Sequence, residues 1–156
     1  MDKDFKIQLS QYFLTGIPGI DAQHKEIFAM LDGFMNSLKK DKLSNDVMRA
    51  CIQEMFGILR NHFTTEESLM EMISFPKAEE HKAQHRNFVN MLTGELKILE
   101  NTDNAKLSRF AQSYRHIAHT HITVFDREYV NYLEKIMMAS KKKSNITSLD
   151  VQAMAG

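Results

Sequence analysis

Apolar residues recur every three or four positions along four long segments of the chain, which is the spacing of one buried face of an α-helix. The first segment runs from about Ile20 to Lys40, and the second runs from an N-cap at Ser44 to Phe75. The third opens at Pro76, a favoured first helical position, and the fourth extends from about Asn104 to Met138. Because the linkers contain only a few residues, the pattern predicts an all-α fold, an antiparallel up-down-up-down four-helix bundle.

Two segments lie outside this pattern. Residues 1–18 are predicted to form an N-terminal arm that belongs to the bundle domain, residues 1–138. Residues 139–156 are polar and weakly periodic, and we expect them to form a frayed C-terminal tail. Only 2 Pro and 6 Gly occur in 156 residues, which also favours helices.

Composition excludes several classes of protein. The 20 basic and 20 acidic residues balance, and no basic face indicates a nucleic-acid partner. No apolar run reaches the roughly 20 residues of a membrane span. The single cysteine, Cys51, excludes an internal disulfide and favours a reducing cytoplasm. No feature of the sequence identifies a protein partner.

The apolar stripes also carry histidines and acids, whose burial without partners costs roughly 2–7 kcal/mol for each neutral polar group. Every predicted helix contributes at least one of them. Two pairs are spaced i, i+4 and so stack on one helix face. One pair is spaced i, i+5, which turns an ideal helix by about 140° and requires a wide face or a local π-bulge. In chain order the residues are His24, His62 with Glu66, His81 with His85, and His121 with Asp126.

The interior of a helix bundle is a common place for such groups to bind metal. The set has five imidazoles, two carboxylates and no thiolate, which suits iron, manganese or zinc but not a cysteine-bound structural site. Seven donors are too many for one ion. Two ions bridged by both carboxylates and one solvent-derived oxygen would share the histidines three to two, leaving one coordination position open. Glu67 is one residue off this face and is expected to lie in solvent.

Four motifs in order resemble the hemerythrin family, and in particular its single-domain bacterial members. The first is GIPGIDAQHKEIF, which contains His24, and the second is HFTTEE, which matches H-x-x-x-E. The third, FPKAEEHKAQHRNF, matches an aromatic-Pro…H-x-x-x-H motif, and the fourth, HITVFDREY, matches H-x-x-x-x-D. The resemblance spans about residues 5–138.

This resemblance implies two iron ions bridged by an oxo or hydroxo group, with O2 held reversibly as a hydroperoxide on the five-coordinate iron. It assigns His81, His85 and His121 to the saturated iron and His24 and His62 to the open one. It makes Glu66 and Asp126 the bridging ligands. The implied function is oxygen carriage, storage or sensing rather than catalysis, with NO and peroxide as other small ligands.

The chain departs from the family beside the fourth-helix ligand, where a Trp-Leu pair is common and Ile117 and Ala118 stand here. These smaller side chains predict an enlarged or wetter ligand pocket near Ala118. A more open pocket supports an alternative function, that of a di-iron redox enzyme that reduces peroxide, NO or O2. A third interpretation is a bundle that uses metal only for folding. The predicted pocket residues are Ile27, Phe28, Phe63, Ile117, Ala118 and Ile122.

Overall fold

The computed structural model describes residues 14–40, 44–99 and 104–154, and within these ranges all regular structure is helical, as predicted. The elements are α1 (Pro18–Lys40), α2 (Asn45–Met72), α3 (Ala78–Leu99), α4 (Asn104–Thr120), a π-helical segment π1 (His121–Asp126) and α5 (Arg127–Met154). The last three follow one another without a break and form one long rod.

Helix α1 packs against α2 and against α4. Two contacts fix its direction relative to the long rod. Asp32, late in α1, accepts a hydrogen bond of 3.0 Å from Arg115, whereas His24, early in α1, lies 3.4 Å from Asp126. Residue numbers therefore rise along one rod as they fall along the other, so the two rods are antiparallel.

Helix α2 packs against α3 in the same manner. Glu71 accepts a hydrogen bond of 2.6 Å from Lys82, and one turn earlier Glu67 lies 2.8 Å from His85. This pair is antiparallel too, which confirms the four-helix bundle that the sequence predicts.

The apolar core consists of two clusters of unequal size. The larger cluster joins all four rods and includes Leu31, Ile52, Leu92 and Leu107. Phe88 of α3 meets Tyr114 of α4 edge to face, at 5.5 Å between ring centroids. The smaller cluster contains Met70, Phe75, Tyr129 and Val130.

Helix α1 begins two residues earlier than the apolar pattern suggests, at Pro18. The preceding turn has Gly16 at a φ of 79°, a conformation that glycine adopts without steric cost. The carboxylate of Asp21, in the first turn of α1, accepts hydrogen bonds from the backbone and hydroxyl of Thr15 and from the backbone N–H of Gly16. This clamp fixes the start of the helix. The arm predicted for residues 1–18 lies outside the described residues up to position 13.

Helix α2 ends at Met72, three residues before the predicted end at Phe75. Phe75 donates its N–H to the carbonyl of Met70, and Ser74 donates to Glu71. This pair of bonds is the Schellman arrangement, with Ser74 in the left-handed position at a φ of 52°. Pro76 explains the early stop, because a proline disfavours helical geometry at the residue before it. Pro76 and Lys77 form a turn, and α3 starts at Ala78.

The frayed tail expected from residue 139 is not observed, because α5 continues to Met154. The whole of α5 contains neither proline nor glycine, so neither of these helix-breaking residues ends it before Met154. Among the described residues, no helix combines the length and the apolar character needed to cross a membrane.

Candidate metal centre

The seven polar residues that the sequence singles out are all buried in the bundle. Their exposed fraction ranges from 0% for His24, Glu66 and Asp126 to 7% for His121. The remaining three, His62, His81 and His85, fall between these values. A set of seven titratable side chains withdrawn from solvent in one place demands a compensating partner.

The seven side chains form two groups of ligand atoms that share one member. One group consists of Glu66, His81, His85 and His121, and we call it the three-histidine group. The other consists of Glu66, His24, His62 and Asp126, and we call it the two-histidine group. Within each group the ligand atoms lie within 4.8 Å of one another. The division of histidines matches the three-to-two division expected from the sequence.

Asp126 and Glu66 connect the two groups in different ways. The Oδ1 atom of Asp126 lies 3.1 Å from His121 Nε2, whereas its Oδ2 atom lies 3.4 Å from His24 Nε2. Asp126 therefore offers one oxygen to each group. Glu66 offers Oε2 to both, at 3.1 Å from His85 and 3.5 Å from His62.

The second oxygen of Glu66 has a different partner. Tyr129 donates its hydroxyl to Glu66 Oε1 at 2.8 Å. The two carboxylates, both expected to act as bridging ligands, are thus held differently. The reason is that Tyr129 comes from the turn of α5 that follows Asp126, and its hydroxyl reaches across the bundle to α2.

The spacing of the imidazole nitrogens fits a metal ion better than it fits direct contact. His85 Nε2 and His121 Nε2 lie 3.1 Å apart. Two nitrogen ligands about 2.1 Å from one ion, and about 90° apart, are separated by roughly 3.0 Å. A cation between them satisfies both lone pairs at once.

Several of these atoms also make no hydrogen bond of good geometry within the described part of the chain. They are His81 Nε2 and both carboxylate oxygens of Asp126. His81 Nε2 approaches Asp126 Oδ1 at 3.4 Å without the alignment of a hydrogen bond. These buried nitrogen and oxygen atoms carry lone pairs and lie close together without hydrogen-bonding one another. A bound cation would satisfy such an arrangement.

The electrostatics of the site keep its carboxylates ionised. Burial raises the pKa of Glu66, and the negative charge of Asp126 raises it further. The surrounding imidazoles outweigh both effects and lower the pKa of Glu66 to about 2. Burial likewise opposes ionisation of Asp126, yet His121, His24 and His81 hold the pKa of Asp126 well below its usual value. Both side chains therefore present anionic oxygens, as metal ligands must.

Two of the histidines, His62 and His81, differ in how readily they hold a proton. Burial lowers the pKa of His62 to about 4, which leaves the ring neutral and ready to bind. Burial lowers the pKa of His81 as well, but Asp126 and Glu66 outweigh it and raise that pKa to about 9. Metal uptake at His81 therefore releases a proton.

The π1 segment explains how residues five positions apart serve one site. His121 and Asp126 are its first and last residues, and both are buried. A π-helix bonds i to i+5, so residues five apart face the same side. The local π-bulge expected from their spacing is thereby observed.

Partners of the outer imidazole nitrogens are not evident from the sequence. His85 Nδ1 lies 2.8 Å from Glu67 Oε1, so Glu67 contacts the site rather than lying free in solvent as expected. His62 Nδ1 lies 3.4 Å from Gln23 Oε1. In both cases the two residues come from different helices, and helical spacing along one segment carries no signal of such a pair.

A small apolar cavity adjoins His62 and His121. Its volume is about 10 Å³, which is room for about one water-sized molecule. Four of the six predicted pocket residues line it, together with Leu59 and Phe88. Those two lie one helical turn from His62 and from His85, a spacing that could have identified them. The four predicted residues that line it are Ile27, Phe63, Ala118 and Ile122.

The other two predicted pocket residues lie elsewhere. Phe28 packs under the guanidinium of Arg115, whose Cζ lies 5.5 Å from the ring centroid. Ile117 is partly buried against the larger apolar cluster. The cavity that adjoins Ala118 is small, and Leu59, Phe63 and Phe88 line it together with the alanine.

Comparison with known proteins points in one direction. Residues 15–133 match the family model described as the hemerythrin HHE cation binding domain. The chain is also similar to the myohemerythrin of Theromyzon tessulatum, with 26% identity over 90 residues. That alignment covers 58% of this chain and 68% of the relative.

Proposed function

We infer, from the fact that the chain belongs to the hemerythrin family, that it is a di-iron protein that binds O2 reversibly. We propose that this binding serves oxygen carriage, storage or sensing. The proposed cofactor is a pair of iron ions bridged by an oxo or hydroxo group. Ferrous iron would lend electrons to O2 on binding and recover them on release. We expect the protein to act in the cytoplasm, in keeping with its single cysteine, Cys51.

The ligand roles follow the two groups. In this proposal His81, His85 and His121 hold one iron, and His24 and His62 hold the other. Glu66 and Asp126 bridge them. The overlap of the groups at Glu66 supports the scheme, as do the two oxygens of Asp126, each of which approaches a different group.

The observation that carries the proposal is the cavity beside His62. It adjoins ligands of both groups, it admits about one small molecule, and its other walls are aliphatic or aromatic. Such walls suit an apolar diatomic gas. None of the lining residues is an acid, an amide or an alcohol. Apart from His62 and His121, which would bind metal, the walls offer a bound molecule no proton donor, and this favours release of intact O2 over its reduction.

The alternative is a di-iron redox enzyme that reduces peroxide, NO or O2. The sequence supports it through a more open pocket near Ala118, whereas the cavity there measures about 10 Å³. NO and peroxide still fit a space of this size. The same experiment separates the two functions.

The test is to load the protein with iron, reduce it without oxygen, add O2 and record the visible spectrum. We expect a new absorption band that disappears under vacuum or argon and returns with O2 over repeated cycles. The matched control is Glu66→Gln, which replaces the carboxylate shared by the two groups with a neutral amide of similar size. It should lower the iron content and abolish the band. Irreversible consumption of O2 or peroxide by the wild-type protein would favour the enzyme, and iron binding without any band would contradict both.

A further inference from the structure

The second glutamate of the HFTTEE segment lies behind a histidine of the three-histidine group. Glu67 Oε1 is 2.8 Å from His85 Nδ1, and the Glu67 side chain is 34% exposed. The opposite nitrogen of the same ring, Nε2, lies 3.1 Å from Glu66 Oε2. His85 is thus placed between a carboxylate at the protein surface and the interior of the site.

A metal ion bound at Nε2 would fix the tautomer of His85. If Nε2 donates its lone pair to a metal ion, the ring proton resides on Nδ1, where it is donated to Glu67. Phe63 holds the ring face, because the two rings stack at 3.9 Å between centroids with 13° between their planes. The ring therefore has little freedom to turn away from either neighbour.

The corresponding partner of His62 is neutral. Gln23 Oε1 lies 3.4 Å from His62 Nδ1, and Gln23 Nε2 donates to the hydroxyl of Thr65 at 2.9 Å. Thr65 in turn donates that hydroxyl to the carbonyl of Asn61. The hydroxyl can then only accept from Gln23, which directs the amide NH2 toward Thr65 and the amide oxygen toward His62.

We propose that Glu67 is a positioning residue that makes the two iron sites electronically unequal, an inference that rests on the proposed function. A carboxylate behind His85 raises the basicity of that ligand. The added negative charge stabilises the ferric state of the ion in the three-histidine group more than its ferrous state. Gln23 supplies no such charge to the two-histidine group. Glu67 thereby lowers the reduction potential of the ion in the three-histidine group selectively.

The test compares three single variants of the iron-loaded protein by spectroelectrochemical titration. Glu67→Gln keeps an oxygen that accepts from His85 and removes the charge. We expect it to lower the ratio of ferric to ferrous affinity at least tenfold, which is a rise of about 59 mV for a one-electron couple. Gln23→Glu adds the charge on the other side and should lower the potential.

The matched control is Glu71→Gln. Glu71 lies one turn along the same helix, and its carboxylate binds Lys82 at the surface. This variant should leave the potential unchanged. An unchanged potential in Glu67→Gln, or an equal shift in Glu71→Gln, would overturn the inference, since a purely structural role moves stability and not the potential.

A further variant, Glu67→Ala, removes the hydrogen bond as well as the charge. We expect it to weaken binding of Co2+, measured by competition with a chelator, by about 10–100-fold. A smaller loss of Co2+ affinity in Glu67→Ala than in Glu67→Gln would count against the positioning role. If the wild-type protein holds two irons but binds O2 irreversibly, the proposed function fails and the potentials still decide this inference. If it takes up no metal, both are overturned.

Discussion

At the scale of single residues, the site depends on how Glu66 is held. Its Oε2 atom serves both groups of ligands while its Oε1 atom accepts the hydroxyl of Tyr129. Tyr129 is 0% exposed, and burial together with Glu66 raises its pKa, so it stays protonated and donates. The hydrogen bond therefore leaves one defined oxygen of Glu66, Oε2, directed toward both groups of ligand atoms.

We predict that Tyr129→Phe lowers the free energy of unfolding of the metal-free protein by about 1.5–3 kcal/mol, the range for a hydrogen bond to a charged group. Urea unfolding followed by circular dichroism measures this. The control is Tyr132→Phe, because the Tyr132 hydroxyl lies at the surface, 3.4 Å from the carbonyl of Ser74. Equal losses in the two variants would contradict the special role of Tyr129.

The sequence identifies the buried histidines and acids of the site far better than it identifies the residues that support them. Residues spaced i, i+4 within one helix share a face whatever the other helices do, so His62 and Glu66 were identifiable as a pair. Glu67 and Gln23 matter through contacts with other helices. Such contacts depend on the rotation of one helix against the next, which no single segment encodes.

At the scale of elements, the sequence allows for π1 but places the end of α2 too late. The i, i+5 spacing of His121 and Asp126 on an apolar face required either a wide face or a local π-bulge, and the structure has a π-helical segment there. The end of α2 was placed too late because the residues before Pro76 keep the apolar spacing of a helix. The steric effect of that proline on Phe75 outweighs the pattern.

Ser74 closes α2 in a backbone conformation that favours glycine. Its φ of 52° places it in the left-handed region, which costs an L-residue roughly 1–2 kcal/mol. We predict that Ser74→Gly raises the free energy of unfolding by about 0.5–1 kcal/mol, after allowing for the extra freedom of glycine in the unfolded chain.

The matched control is Ser68→Gly, an exposed position inside the same helix. Its hydroxyl donates to the carbonyl of Thr64, one turn earlier. Glycine in a helix interior is unfavourable, so this variant should lose a few tenths to about 1 kcal/mol. Thermal or urea unfolding of both variants gives the two signs. A loss of stability in Ser74→Gly would show that the cap is not strained.

At the scale of the whole molecule, the metal centre interrupts an otherwise apolar interior. The larger cluster includes Phe63 and Ile122, and the smaller one includes Met70 and Val130. In sequence Glu66 falls between these positions on α2, and Asp126 falls between them on the long rod. The apolar pattern was thus sufficient to predict the bundle. The interior charge balance was not predictable, because it depends on distances between helices.

That charge balance makes the stability of the metal-free protein depend on pH in both directions. The folded pKa of His62 is about 4, below the unfolded value of 6.5. The unfolded chain therefore binds more protons between these values, and stability falls as the pH drops from 6.5 to 4, by about 3 kcal/mol for this group. The low pKa of Glu66 adds a further loss below pH 4.5.

On the alkaline side His81 reverses the sign. Its folded pKa is about 9 and its unfolded value is 6.5, so the folded protein binds more protons between them and loses stability as the pH rises. We therefore predict a maximum near pH 6.5 for the metal-free protein, measured by urea unfolding at pH 4.5, 6.5 and 9. Metal binding displaces the His81 proton, so the loaded protein should lose the alkaline fall. His81→Asn should lose it too, and the exposed His116→Gln should keep it. A metal-free protein that is more stable at pH 9 than at pH 6.5 would contradict the charge arrangement on which the site depends.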